Sequence, residues 1–96
     1  MQNLKYYKDI LEQLKPELIS KYGVSSLGLF GSIVRDDFTE QSDIDIVVTF
    51  SKPISSDFIT LAYELEEKLK RKVDLVSRNG IKSRYYEVIE PEILYV

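Results

Sequence analysis

The 96-residue chain contains neither cysteine nor histidine. Without cysteine there is no disulfide framework and no thiolate metal site, so a reducing, cytoplasmic setting is the expectation. Without histidine, imidazole acid–base chemistry and most zinc sites are excluded. Any metal must then be held by oxygen ligands, which points to magnesium, manganese or calcium. No apolar run approaches the roughly 20 residues that a membrane span needs, and MQNLKYYKD at the start lacks a signal-peptide core. No membrane contact is expected. The net charge is only -3, which argues against direct nucleic-acid binding.

What is present is an ordinary globular balance, 44% hydrophobic and 30% charged, and it fits one compact domain over residues 1–96. Leu4, Tyr7, Leu11, Leu14, Leu18 and Tyr22 recur at helical steps, so residues 3–22 read as an amphipathic helix with Asn3 as its cap and Gly23 at its end. Pro16 should kink or break it. Residues 25–30 read as a strand that runs into Gly31-Ser32, and Ile33 to Gln41 as a short helix and turn. Residues 43–50 are the strongest strand, closed by Pro53. Residues 57–71 form a second amphipathic helix, capped by Asp57 and buried through Phe58, Leu61, Leu65 and Leu69. A strand over 72–76, a turn at Asn79-Gly80, a helix over 81–89 and a strand over 93–96 complete the chain. The class is α/β (α+β), a small mixed sheet flanked by helices. Tyr7, Tyr22 and Tyr63 lie on leucine-bearing faces and read as core, while Tyr85 or Tyr86 could face a partner. Lys82, Arg84 and the charged run from Glu64 to Lys72 read as solvated surface.

Three aspartates stand where aspartate is disfavoured. Asp43 and Asp45 are two apart in one strand and share a face, with Ile44 and Ile46 turned to the core. Asp74 lies between Val73 and Leu75 in another strand, opposite its apolar neighbours. Strands disfavour aspartate, and like charges on one face repel. A divalent cation would offset both costs. A solvated outer face is the bland alternative, strongest for Asp43 at a strand entrance. Gly31-Ser32 shifts the balance. Glycine admits close approach, and the serine hydroxyl with nearby amides can bind phosphate oxygens. Gly-Ser followed ten residues later by Asp-x-Asp should arise by chance in roughly two of a thousand chains this size.

The run GSIVRDDFTEQSDID resembles the signature of the DNA polymerase β-like nucleotidyltransferases. LGLFGS, VRDDFTEQSDIDIVV, RKVDLV and ILYV together look like the minimal nucleotidyltransferases, or MNT proteins, over nearly the whole chain. The resemblance implies a nucleotidyltransferase fold and a metal-dependent transfer of a nucleoside monophosphate, AMP from ATP in the leading reading. It makes Asp43 and Asp45 ligands of catalytic magnesium (two ions, with manganese as a substitute). Asp74 becomes the third carboxylate, sharing a metal where the acceptor hydroxyl loses its proton. Gly31 and Ser32 match the triphosphate cradle, and Arg35 a basic residue that neutralises phosphate. Val34 and Asp36 depart from the small residue and glycine that often flank that arginine.

The family also implies an acceptor and partner, the helical HEPN ribonuclease of a toxin–antitoxin module, silenced by AMP attachment. At 96 residues the acceptor is expected to come from another chain. Two alternatives follow from the same resemblance: an antitoxin that masks its toxin without catalysis, and half of a transferase for small molecules of the aminoglycoside type.

Overall fold

The computed structural model describes residues 4–52 and 57–96. Helix α1 (Leu4–Tyr22) buries Tyr7, Leu11 and Leu18 along one stripe. The expected break at Pro16 does not occur, and α1 runs through it. Pro16 and Glu12, whose carbonyl loses its N–H partner, both lie on the exposed side, where water can take the place of the missing bond. Gly23, at a φ of 71°, ends the helix and donates its N–H to the Ile19 carbonyl at 3.1 Å.

Four strands form the sheet, in the order β3-β2-β1-β4: β1 (Val24–Phe30), β2 (Ile44–Phe50), β3 (Val73–Ser77) and β4 (Leu94–Tyr95). β1 pairs antiparallel with β2 and with β4, whereas β2 and β3 run parallel. The parallel pair requires a crossover, and helix α2 (Asp57–Leu69) supplies it. The expected mixed sheet between helices is therefore the fold. Asp57 stands in the first turn of α2; the closing role expected of Pro53 lies outside the described residues.

Alternation along β2 sorts the side chains. Ile44, Ile46, Val48 and Phe50 face the main core with Leu27, Leu29 and the stripes of α1 and α2. Val47 faces the other way and packs with Phe30 and with Ile89 of helix α3 (Ser83–Ile89). The second face of the sheet is thus partly covered rather than open to solvent. Tyr63 corrects the expectation that it is core. Leu61, Leu65 and Leu69 are buried at four-residue steps, and a residue two after Leu61 points to the far side of the helix. Tyr63 is 68% exposed. Tyr7 is buried as expected, and Tyr22 is half-buried with its hydroxyl on Glu64 at 2.7 Å.

Of the short helix and turn expected over Ile33 to Gln41, the turn is present and the α-helix is not. Gly31–Ile33 form a single 3-10 turn, and turns lead from there to Asp43. That segment lacks a helical apolar repeat; backbone bonds from Val34 and Arg35 to Gly31 and Ser32 hold its start, and Arg71 holds its end. The Arg71 guanidinium donates to the carbonyls of Thr39 at 2.7 Å and Ser42 at 2.6 Å and covers the Phe38 ring at 4.5 Å. Among the described residues no helix is long and apolar enough to cross a membrane.

Candidate active site

The register brings two of the three aspartates side by side. Asp45 is the Cα partner of Asp74 on β3 and of Phe30 on β1. Paired residues on adjacent strands point to the same face, so Asp45, Asp74 and Phe30 share the face covered by α3. Asp43, expected inside the strand, stands exposed just ahead of β2 instead, near enough for its charge to act on Asp45. Arg71 fixes the loop through Ser42, the residue before Asp43, and so sets where Asp43 stands. The sequence reading placed Arg71 among solvated charges; its reach across 29 residues to Ser42 leaves no local pattern.

Asp45 is half-buried, and burial lifts its carboxyl pKa to about 6, helped by the nearby charges of Asp74 and Asp43. The Arg35 charge opposes the rise. None of the three aspartates has an ion-pair partner among the described residues. Three gathered carboxylates, one of them partly desolvated and none neutralised, suit a hard divalent cation with oxygen ligands. Among the described residues no three acidic side chains stand close enough together, as they are placed, to hold a metal ion.

Gly31 closes the site from β1. Its φ is 77°, and a Cβ there would collide with the Asp45 carboxylate, lying 3.0 Å from its Cγ. The glycine therefore does two things: it permits the left-handed turn and leaves room for Asp45. Ser32 follows in the 3-10 turn, half-buried, and its hydroxyl makes no hydrogen bond within the described residues. It is available to a ligand oxygen.

Arg35 is exposed and donates to both oxygens of Glu92 at 3.2 and 3.3 Å and, through Nε, to Asp37 at 3.4 Å. The Asp37 and Glu92 charges hold its guanidinium firmly protonated. Glu92 also accepts the Gly31 N–H at 2.7 Å. Sequence reasoning missed Glu92, which sits 61 residues from Gly31 in a segment without any motif. All six residues singled out from the sequence lie around this end of the sheet. Lys82, just before α3, and Arg84 on it are exposed, as expected.

Comparison with known proteins gives a consistent picture. Residues 11–96 match the nucleotidyltransferase domain family. The protein adenylyltransferase MntA of Thermococcus cleftensis is 39% identical over 97 residues, covering 100% of this chain and 98% of that protein. A Methanocaldococcus jannaschii chain assigned as a protein adenylyltransferase is 41% identical over 98 residues and 100% of both chains. Among solved structures, one assigned to the minimal nucleotidyltransferases superposes with a TM-score of 0.81 at 29% identity, over 97% of this chain and 95% of that one. A tri-AMPylated Shewanella oneidensis HEPN toxin in complex with MNT antitoxin gives 0.70 at 20% identity, over 93% of this chain and 70% of the other. That last likeness establishes the fold alone. By motif, fold and relatives alike, this chain belongs to the minimal nucleotidyltransferases.

Proposed function

We propose that this protein transfers AMP from ATP to a hydroxyl of a HEPN-type partner protein and thereby silences it, as the antitoxin of a toxin–antitoxin pair. The observation that carries the reading is the pairing of Asp45 with Asp74 on one sheet face, against a glycine turn shaped around Asp45. The relative from Thermococcus bears the name of a protein adenylyltransferase over the full length of this chain. A solved toxin–antitoxin complex with AMP-PNP, of similar fold at a TM-score of 0.74, supports ATP as the donor.

Asp43 and Asp45, with Asp74 sharing, are the residues that would hold magnesium, most simply as two ions, with manganese as a substitute. Bound there, the metal would supply charge neutralisation for the triphosphate and activation of the acceptor oxygen. Ser32 offers its hydroxyl to a phosphate oxygen, and Arg35 places positive charge beside the chain of phosphates. In the transfer, the acceptor oxygen bonds to the α-phosphorus, the bond from that phosphorus to the bridging oxygen of the β-phosphate breaks, and pyrophosphate leaves. Asp74, on the edge strand and exposed, is placed to accept the hydroxyl proton from an incoming acceptor. Burial keeps Asp45 on the inner side, away from that entry.

The test uses the protein co-purified with its bound partner and ATP labelled on either the α- or the γ-phosphate. Partner protein labelled from α-ATP and not from γ-ATP is the expected result. Labelling from γ-ATP would instead make the protein a phosphotransferase. A folded complex that incorporates neither label while the toxin stays silent would favour masking by binding. Labelled aminoglycoside with no labelled protein would favour the small-molecule reading.

A further inference from the structure

Glu92 bridges two parts of the nucleotide cradle from the opposite edge of the sheet. β1 has β2 on one side and β4 on the other, and the aspartates come from the β2 side. The β1–β4 ladder holds only the pairs Gly28↔Tyr95 and Leu29↔Leu94. Continuing that register by two residues would set Glu92 opposite Gly31, but the chain there is already turned into the 3-10 segment Glu90–Glu92. The Glu92 side chain takes over where the ladder stops. Gly31 is buried, and a buried amide needs a partner; the 2.7 Å bond to a carboxylate is short and charge-assisted.

The same carboxylate receives the Arg35 guanidinium on both oxygens. An exposed Arg–Glu pair alone contributes little. Here it differs because one of its oxygens is anchored to the backbone of the turn that shapes the site. We infer that Glu92 is a positioning residue for nucleotide binding: it fixes the Gly31 turn and aims Arg35 at the phosphates. Because Glu92 takes the Gly31 N–H, Gly31 serves the cradle by shape, and phosphate contact falls to Ser32 and to the guanidinium donors that Arg35 has left. The inference rests on the nucleotidyltransferase reading of the site.

The experiment compares Glu92→Gln and Glu92→Ala with wild type in the co-purified complex. It reads KM for ATP, kcat for AMP transfer, the Kd for magnesium AMP-PNP, and the melting temperature. Glu92→Ala should raise KM and Kd about tenfold with kcat within about threefold, the pattern of lost binding rather than lost chemistry. Glu92→Gln keeps an acceptor for Gly31 but loses the carboxylate charge that pairs with Arg35, so it should fall between. In an Arg35→Ala background, Glu92→Gln should have no further effect on Kd. Unchanged KM and Kd with a lower melting temperature would overturn the inference, leaving Glu92 purely structural. A tighter Kd would also overturn it, since Glu92 would then compete with phosphate. Should Glu92→Ala fail to fold, Glu92→Gln decides. If wild type transfers no AMP, the proposed function fails, and the AMP-PNP Kd still decides the role of Glu92.

Discussion

Gly31 shows how one residue can carry both backbone and chemical demands. A side chain there would sit in the left-handed region, which costs roughly 1–2 kcal/mol, and would also strike the Asp45 carboxylate. Gly31→Ala should therefore lower stability by about 2 kcal/mol or more, read by urea unfolding, and lower AMP transfer at least tenfold. Activity near wild type would show that Asp45 can move without consequence. Asp45 itself stands at a cost. Its folded pKa of about 6 lies above the ordinary carboxyl value of 3.8, so the folded state holds the proton more tightly than the unfolded chain. The penalty is absent below about pH 4, grows as pH rises, and is fully present above about pH 6. Allowing for solvent screening, it is on the order of 1–2 kcal/mol.

Among the elements, α2 ends in a strained way. Lys70 has a φ of 56° and donates its N–H to the Glu66 carbonyl at 2.8 Å, a position where glycine is the usual residue. Lys70→Gly should raise stability by about 0.5–1 kcal/mol, seen as a higher urea midpoint at unchanged slope; a lower midpoint would mean the lysine stem contributes packing. The sequence displayed the repeating features well. The leucine steps of α1 and α2 and the alternation of β2 are local patterns, and the structure reproduces both. What it concealed depends on distant contact. Pro16 is tolerated because its side of α1 faces water, which helix propensity alone does not tell. The stretch from Phe38 to Ser42 is held by Arg71, and Glu92 reaches Gly31 only because β4 lies beside β1. Tyr63 is the exception, since helical geometry is enough to place it: two residues from Leu61 is the exposed face.

For the whole molecule, the sheet separates stability from chemistry. The main core fills the α1–α2 face, and the aspartates stand on the opposite face at the edge of a much smaller cluster. Substitutions at the site should therefore leave the main core intact. On the proposed function the arrangement also sets a charge problem, since an acidic site on a chain of net charge -3 would receive an anionic triphosphate. Divalent cation should bind the folded protein and raise its melting temperature at pH 7, where Asp45 is ionised. At 100 times its Kd the gain would be about 2.7 kcal/mol. At pH 5 the gain should shrink, because the cation must displace a proton from Asp45. Equal shifts at both pH values would place the ion elsewhere.

The role of the aspartates is decided by measuring Asp45→Asn against wild type in one preparation of the co-purified complex, reading melting temperature and AMP transfer from α-labelled ATP together. The variant should melt at the same or a higher temperature at pH 7 and lose transfer by about a hundredfold or more. A variant that unfolds, or one that keeps its transfer activity, would contradict the proposed role of Asp45.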